Sequence, residues 1–554
     1  MKKAPLLWII RKIRRRIPAI IVLTAAQAGH ALFSVLFALG SRGVIDSAVS
    51  GEKSEFIRAC IWQGLIILGI LACLTVFRVL RDRLHTDLER DWKQELLHGL
   101  LHGEYAEVSN YHSAELLNRL NNDVDKVNDG ILSVVPETAS MITRMIAAVV
   151  VLGALDLRFT LLIVAAGVLV IGMTAIMRRY LKDLNKKVSE HNGKVSAFLQ
   201  EIMEKLLMVQ TMNVSDEVES RSDVLLESRY VIQRKRRFVS VLSNTAVSVM
   251  FYGAGFLALL WCSVRMLMGQ MSFGSLTAVI QLVNQVQAPF VNLSGVMPKY
   301  IVMVASAERL MELEAIQGEP VSSIENPDHV YGKMTAIGAE NLHFSYDRDQ
   351  ILTGAAFSLP KGSFAAITGP SGIGKSTLLK LLLGVFHPDR GELHLECGDQ
   401  RMTIDRSTRE LFAYVPQGNL LLSGTLRENL TIVRPQATEE EIQNAVYVSA
   451  MEDYLPQLPL GLDTLIGESG AGLSEGQAQR LAIARAVLGG APVLLLDECT
   501  SALDAETEQK VLQRLKNLPN RTSIAVTHRP AAIELCDWRL EVHDGKIQAV
   551  RNEN

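Results

Sequence analysis

Six long apolar stretches occupy the N-terminal half of the chain and are separated by polar, charged segments. Each holds or approaches the roughly 20 mainly apolar residues that one helix needs to cross a bilayer. The pattern therefore predicts six transmembrane helices. Their approximate ranges are Ile17–Leu39, Phe56–Phe77, Pro136–Leu155, Phe159–Met177, Val241–Met268 and Phe273–Val304.

The first apolar stretch follows a basic segment, Met1–Arg16, and contains Ala26-Gln27-Ala28, a combination that resembles a cleavable signal peptide. The apolar run continues beyond that small-residue site for another turn or more, and further spans follow. We therefore interpret it as a retained first transmembrane helix, oriented by its positive flank.

Two connections between spans are long, residues 78–135 and 178–240, whereas the other three are short. Both long segments carry clustered basic residues and keep a helical spacing of apolar positions. The positive-inside rule then places them in the cytoplasm together with the N-terminus. We expect the spans to continue as helices well beyond the bilayer on that side.

Polar side chains interrupt some spans. In the sixth span, Gln281, Gln285 and Asn292 fall near one helical face, and Gln27 and His30 lie in the first. Such residues either face a substrate path or form hydrogen bonds that only hold helices together. For the sixth span both interpretations stay open; for His30 we favour packing.

A polar linker separates the apolar half from a C-terminal half in which strands alternate with helices, as in a parallel α/β layer structure. The expected domains are a transmembrane domain at 1–316, a linker at 317–334 and a nucleotide-binding domain at 335–554. The composition is 48% hydrophobic and the net charge is −3, so no basic excess points to nucleic acid as a partner.

The segment Gly369-Pro-Ser-Gly-Ile-Gly-Lys-Ser-Thr377 fits the phosphate-binding loop pattern G-x-x-x-x-G-K-[ST], between an apolar strand and an apolar helix. Its backbone N–H groups would cradle phosphate oxygens, Lys375 would contact the β- and γ-phosphates, and the Ser376 hydroxyl would ligate Mg²⁺. The expected nucleotide contacts here are Gly369, Pro370, Ser371, Gly372, Gly374, Lys375, Ser376 and Thr377.

Two further apolar strands end in residues suited to the chemistry of a bound nucleotide. Val493–Asp497 ends in a carboxylate that would hold Mg²⁺ or its water, and Glu498 follows as a candidate general base. His528 ends the strand Ile524–Thr527 and could approach the γ-phosphate.

The segment Leu473-Ser-Glu-Gly-Gln477 resembles the signature motif of ATP-binding cassette (ABC) proteins, and the other family motifs occur in the expected order. The resemblance implies that Tyr346 stacks on adenine and that Gln417 couples Mg²⁺ to the membrane domain. It also marks Ser474, Gly476 and Gln477 as contacts to the opposing subunit's ATP, Asp504 as part of the D-loop and His528 as the switch histidine. Glu468 resembles an acidic residue of exporters, and Ser113–Val127 resembles the first intracellular coupling region.

The signature motif usually reads LSGGQ, and Glu475 replaces its third residue. A carboxylate pointing toward a phosphate would be unfavourable, so we expect the Glu475 side chain to point away from the nucleotide.

The resemblance covers essentially the whole chain. It implies a multidomain membrane protein: an all-α six-helix transmembrane domain with long intracellular extensions, fused to an α/β P-loop cassette with a helical subdomain. A single cassette implies a dimer, because the family's ATP sites are shared between two cassettes. A homodimer is favoured since Glu498, His528 and the signature are all present; a second half-transporter chain is the alternative.

The function implied is ATP-driven, Mg²⁺-dependent export of an amphipathic compound, peptide or lipid through a bacterial plasma membrane, with the cassette in the cytoplasm. Two alternatives stay open: an importer with an exporter-like fold, for example for a siderophore, and an ATP-gated channel or sensor that does not pump.

Overall fold

A computed structural model describes residues 3–319, 324, 326–346, 349–418, 421–467, 470 and 472–552, without the side chains of residues 3, 168–171, 173–176, 178, 179 and 290–294. The chain forms two compact units. The helical unit comprises Met1–His98 and Ser113–Ala315, and the sheet unit comprises Gly99–His112 and Ile316–Asn554.

From Lys3 to Glu314 the chain is almost wholly helical, and six of its helices are long. The helices are α1 Lys3–Lys12, α2 Ile17–Ser50, α3 Lys53–His102, α4 Tyr105–Val108, α5 Ser113–Asn118, α6 Val124–Leu155, α7 Leu157–Glu204, α8 Leu206–Thr211, α9 Ser215–Leu267 and α10 Phe273–Glu314. The predicted spans fall within α2, α3, α6, α7, α9 and α10 in turn, except that the fifth extends one residue past the end of α9, and the six-helix architecture is confirmed.

Among the described residues, four helical segments are long and apolar enough to cross a membrane, judged by length and composition. They are Arg14–Ser50, Lys53–His102, Ser113–Leu155 and Ser215–Leu267; a shorter apolar segment covers Leu157–Gly167. Helix α3 has 50 residues and α9 has 53, so each is about 75 Å long or more, over twice the hydrocarbon thickness. The expected extensions beyond the bilayer are therefore present.

The short turn between α6 and α7 is fixed by a buried carboxylate. Asp156 caps α7 by accepting hydrogen bonds from the backbone N–H groups of Arg158 (3.1 Å) and Phe159 (3.2 Å). Its other oxygen accepts from the Trp261 indole at 3.0 Å and pairs with Arg265, both on α9. The Asp156 side chain thus fixes the turn between α6 and α7 and links this turn to α9.

A buried ion pair joins the start of α6 to α10. Asp123 is fully buried and accepts hydrogen bonds from Arg309 Nε (2.7 Å), Arg309 Nη2 (2.6 Å) and the Ser306 hydroxyl (2.9 Å). It ends a five-residue π-helical segment that begins at Arg119, and Arg119 donates to Glu312 and to the Arg309 carbonyl. Every oxygen of the buried carboxylate is therefore partnered, as burial of a charge requires.

The described residues of the sheet unit form twelve strands. They are β1 Ala336–Tyr346, β2 Asp349–Pro360, β3 Phe364–Thr368, β4 Arg390–Cys397, β5 Gln400–Thr403, β6 Phe412–Val415, β7 Gly424–Thr425, β8 Leu465–Ile466, β9 Val493–Asp497, β10 Thr522–Val526, β11 Trp538–His543 and β12 Lys546–Arg551. The main sheet has the order β12-β11-β3-β10-β9-β6, and a second sheet has the order β2-β1-β4-β5.

The helices of the sheet unit are α11 Pro327–Lys333, α12 Lys375–Leu382, α13 Leu426–Thr431, α14 Glu439–Val448, α15 Glu475–Gly489, α16 Ala505–Lys516 and α17 Pro530–Leu535. One hydrophobic core lies between the two larger sheets and α12. Another joins α13, α14 and α15 to the opposite face of the main sheet. The α/β cassette with a helical subdomain is confirmed.

Replacing Asp123 by Asn should lower the free energy of unfolding of the helical unit by about 1–3 kcal/mol, because the Arg309 guanidinium loses the charge of its buried partner. The measurement is the thermal unfolding midpoint of the full chain in nanodiscs. Glu217→Gln, which breaks an exposed pair with Arg221 within one helix, is the control and should leave the midpoint unchanged. Equal midpoints for wild type and Asp123→Asn would contradict this assignment.

Candidate nucleotide-binding site

Four neighbouring parallel strands, β3, β10, β9 and β6, bring the nucleotide motifs to one edge of the main sheet. Ile367 of β3 pairs with Val526 of β10, which pairs in turn with Asp497 of β9. On the far side of β9, Leu496 pairs with Val415 of β6. The strands therefore end level, and the residues that follow them lie side by side, where parallel α/β sheets bind ligands.

The loop between β3 and α12 has the backbone form that a phosphate cradle needs. Gly374 has a φ of +106°, and a Cβ there would lie 2.2 Å from Ile351 Cγ2, so only glycine fits. Pro370, Ser371 and Gly372 are exposed, whereas Lys375 and Thr377 are buried. Lys375 Nζ donates to the carbonyls of Gly369 and Pro370, each at 2.9 Å, so the loop folds around the amine that the sequence assigns to phosphate.

Ser376 and Asp497, the two residues predicted to hold Mg²⁺, lie in direct contact. The Ser376 hydroxyl donates to Asp497 Oδ1 at 3.0 Å, and the Tyr414 hydroxyl donates to Oδ2 at 3.2 Å. Burial raises the pKa of the Asp497 carboxyl, and the nearby Glu498 charge adds to this effect. Burial, with the Asp497 charge, also raises the pKa of Tyr414, which keeps that hydroxyl a donor.

Glu498 lies beside the two other strand-end residues. Gln417 Nε2 donates to Glu498 Oε2 at 2.7 Å, and His528 Nε2 lies 3.7 Å from Oε1. The backbone of Glu498 has a φ of +47°, a region that non-glycine residues rarely adopt and that often marks functional sites. The Gln417 amide therefore contacts the candidate base, a contact that the sequence did not indicate.

Tyr346, predicted to stack on adenine, belongs to an aromatic cluster at the end of β1. Its ring meets Phe344 edge-on at 4.9 Å and Phe386 edge-on at 5.5 Å between centroids. The ring of Tyr346 is 39% exposed, so a face stays open to a base.

The same cluster receives the short helix α4, which belongs to the sheet unit. Tyr105 meets Phe386 edge-on at 5.9 Å, and Glu104 lies 3.4 Å from His387. The contact with the cassette is thus made by the turn at residues 104–105. Ser113–Val127, which resembles the first intracellular coupling region, belongs to the helical unit, and its coupling role stays a prediction.

The signature residues form the start of α15. The Ser474 hydroxyl caps the helix at Gln477 N (3.3 Å), and Gln477 Oε1 accepts from Ser474 N (2.9 Å). Gly476 packs so closely that a Cβ would lie 2.9 Å from the Ala502 carbonyl oxygen. Glu475 is exposed at the first turn, where the helix dipole favours a carboxylate.

The D-loop, Ser501–Asp504, is held by residues that the sequence did not single out as functional. Gln479 donates to the Ser501 hydroxyl (2.9 Å) and accepts from Ala502 N (3.0 Å). Arg529 donates to the carbonyls of Ser501 (2.6 Å) and Leu503 (2.9 Å) and pairs with buried Glu508 at 2.7 Å. Gln479 lies two residues after the signature and Arg529 directly follows His528, and these sequence positions could have indicated their roles.

Asp504 caps α16 by accepting a hydrogen bond from Thr507 N at 3.0 Å, and this backbone hydrogen bond lowers the pKa of the carboxyl.

The predicted site residues form two groups. One group is the P-loop with the residues at the strand ends, and the other is the signature with the D-loop. Among the described residues, no hydrogen bond or ion pair joins Ser474–Gln477 to Gly369–Thr377. Glu468 lies outside the described residues.

Two family models match the chain. The model of the ABC transporter transmembrane region matches residues 17–290, and the ABC transporter model matches residues 352–501. A probable ABC transporter ATP-binding/permease protein of Haemophilus influenzae is 26% identical over 546 residues, covering 95% of each chain.

Two further similarities cover much of the chain. A β-(1→2)-glucan export ATP-binding/permease protein of Brucella suis is 30% identical over 71% of this chain and 66% of the relative. The fold resembles a bacterial Atm1-family ABC exporter with ATP bound, with a TM-score of 0.77 and 22% identity over 97% of this chain and 95% of that one.

The fold, the P-loop and the signature helix together define a membrane transport ATPase with one cassette per chain. The chain belongs to the ABC transporter family and is of the half-size exporter type. Such exporters bind ATP and work as dimers.

Replacing Arg529 by Ala should lower both the stability of the cassette and ATP turnover. The stability falls by about 1–3 kcal/mol because the buried Glu508 carboxylate loses its cation. Turnover falls about ten-fold or more because the D-loop carbonyls lose their donor. Thermal unfolding and steady-state Mg-ATPase of the full chain measure the two effects.

The double variant Arg529→Ala/Glu508→Gln separates these effects. Removing the unpaired carboxylate should restore part of the lost stability without restoring turnover. Glu508→Gln alone keeps the arginine on the D-loop and should turn over ATP nearly as wild type does. Full recovery of turnover in the double variant would show that Arg529 does not position the D-loop.

Proposed function

We propose that two copies of this chain form a homodimeric exporter with two shared ATP sites. The supporting observation is that each chain carries both a P-loop with its strand-end residues and an intact signature helix, held in separate places. Two copies related by a two-fold axis supply each P-loop with the partner's signature, whereas one copy leaves both incomplete. Exporters of this type work as dimers, and a second identical chain supplies the signature that each P-loop needs.

We assign Mg²⁺ to Ser376, Asp497 and Gln417. The Ser376 hydroxyl and the Asp497 carboxylate already lie 3.0 Å apart, and hard oxygen donors of this kind suit Mg²⁺ bound together with phosphate oxygens. Bound there, the ion would neutralise charge that develops on the phosphates. Gln417 would then exchange its hydrogen bond with Glu498 for a place beside the metal.

Hydrolysis is assigned to Glu498 and His528. Glu498 orients and deprotonates the attacking water, and the His528 ring, 3.7 Å from the carboxylate, contacts the γ-phosphate side of the same pocket. Lys375 binds the β- and γ-phosphates once ATP displaces its contacts with the loop carbonyls. Release of the Gln417 amide from Glu498 frees the carboxylate to accept the water proton.

Export couples to this site through Phe386. That ring contacts both Tyr346, the proposed adenine platform, and Tyr105 of α4, so base binding and the intracellular turn share one side chain. Closure of two cassettes on ATP would move the long helices that enter and leave this turn, and hydrolysis would reset them.

The proposed cargo is an amphipathic compound, peptide or lipid. The relatives include ATP-dependent lipid A-core flippases of Desulfotalea psychrophila and Vibrio vulnificus, at 27% and 28% identity. The bacterial origin of these relatives supports a bacterial inner membrane, with the cassette in the cytoplasm. We assign the sixth-span residues Gln281 and Gln285 to the proposed cargo path; the Asn292 side chain lies outside the described residues.

A mixed dimer tests the shared sites and the homodimer together. Lys375→Ala and Ser474→Arg each inactivate both sites when all chains carry the change. Coexpressed with different affinity tags and purified in tandem, the mixed dimer holds one doubly altered site and one intact site. We expect about half of the wild-type Mg-ATPase per dimer. A mixed dimer as inactive as its parents would contradict sites shared between two copies.

A further inference from the structure

Arg144, a half-buried arginine in a transmembrane helix, forms no ion pair with any described residue. Arg144 on α6 is four residues from Ser140 (5% exposed) on one side and from Ala148 (0%) on the other. Residues four apart lie on one helical face, so the side chain leaves the helix where it packs against α2 and α10.

The position of Arg144 deep in the bilayer makes its charge energetically costly. Arg144 precedes the end of α6 at Leu155 by eleven residues, or about 16 Å of helix. A bilayer core is about 30 Å thick, so the residue lies near its middle. Charged side chains at this depth are rare and generally mark a functional path.

The local hydrogen bonding of Arg144 is incomplete. Its Nε is buried and has no hydrogen-bond partner, and the guanidinium forms no ion pair with any described residue. The Asp123–Arg309 pair in the same unit shows the usual arrangement, with every carboxylate oxygen bonded. The Arg144 Nε–H group is therefore a hydrogen-bond donor that no described residue accepts from.

Buried polar atoms without hydrogen-bond partners also occur on the neighbouring helices α2 and α10. His30 on α2 lies close enough for an electrostatic interaction with Arg144, and its Nδ1 is buried without a partner. One turn earlier, Gln27 Oε1 is also buried and unbonded. On α10, Gln285 Oε1 is in the same state, twelve residues (about 18 Å) from the helix start.

Interhelical hydrogen bonding alone does not account for this set. Gln287 on α10 shows what such bonding looks like: its amide donates to the Phe251 carbonyl of α9 at 3.3 Å. The Gln27 and Gln285 amides and the His30 ring have no such bond at the buried atoms named. Amide groups and an imidazole can turn donors toward an anion, and a guanidinium binds carboxylate or phosphate with two parallel bonds.

We propose that Arg144, with His30 and Gln27 beside it and Gln285 on the facing helix, binds the acidic head group of the exported molecule. The cargo is then an amphipathic anion, with a phosphate or carboxylate at Arg144 and an apolar tail among the surrounding helices. This assignment rests on the proposed export function for calling the bound anion cargo; the anion site itself does not depend on it.

The test compares three amphiphiles with one chain length: dodecyl phosphate, dodecanoate and uncharged 1-dodecylglycerol. Binding to the full chain in nanodiscs is measured by titration calorimetry, with empty nanodiscs subtracted. Wild type should bind at least one of the two anions about ten-fold or more tightly than the uncharged compound. The ratio between phosphate and carboxylate distinguishes a lipid phosphate from an acyl acid as the head group.

Arg144→Gln should remove the preference for anions, and Arg144→Lys should retain part of it. Arg58→Gln, which changes an exposed arginine on α3, is the matched control and should keep the full preference. Gln27→Leu should weaken anion binding less than Arg144→Gln does. Thermal unfolding of each variant shows whether it is folded.

The proposal is overturned if wild type shows no preference for either anion, or if folded Arg144→Gln keeps it. The wild-type result decides the question even if Arg144→Gln does not fold. Mg-ATPase measured in the same nanodiscs keeps the two claims apart. Turnover without anion preference rejects the anion site alone, and anion preference without turnover rejects the export function alone.

Discussion

The parallel register of four strands is the constraint on which the ATP site depends. Because β3, β10, β9 and β6 end level, the P-loop, His528, Asp497 with Glu498, and Gln417 follow at one edge. Apart from the adjacent Asp497 and Glu498, these elements lie far from one another in sequence. The buried strands fix their spacing, and the unusual backbone of Glu498 then turns its carboxylate between Gln417 and His528.

The helical unit contains two kinds of buried charged group, those with ionic or hydrogen-bond partners and one without them among the described residues. Asp123 and Asp156 are fully partnered, and each joins helices that are distant in sequence. The Arg144 Nε is buried and has no hydrogen-bond partner among the described residues. The paired carboxylates stabilise the unit, whereas the Arg144 guanidinium keeps a donor available for a ligand. Because a buried charge is costly without a partner, its pairing distinguishes a structural charge from a candidate binding site.

Most of the architecture could be predicted from the sequence, because apolar length and the P-loop pattern are local signals. The six long helices and the α/β cassette follow from them. Contacts set by tertiary packing could not be predicted: the Gln417–Glu498 hydrogen bond, the hydrogen bonds from Arg529 to the D-loop carbonyls, and the contact of Tyr105 with Phe386. The nearness of His30 to Arg144 could not be predicted either, because the two residues lie on different helices that are far apart in sequence.

The most direct test of the central claim is steady-state Mg-ATPase of the purified chain, alone in lipid nanodiscs, beside Glu498→Gln. We expect the lone chain to hydrolyse ATP and the variant to lose about 100-fold or more of that rate while still binding ATP, as loss of a general base requires. Absence of turnover by the folded lone chain would contradict a self-sufficient homodimer. Undiminished turnover by Glu498→Gln would contradict the assignment of the base.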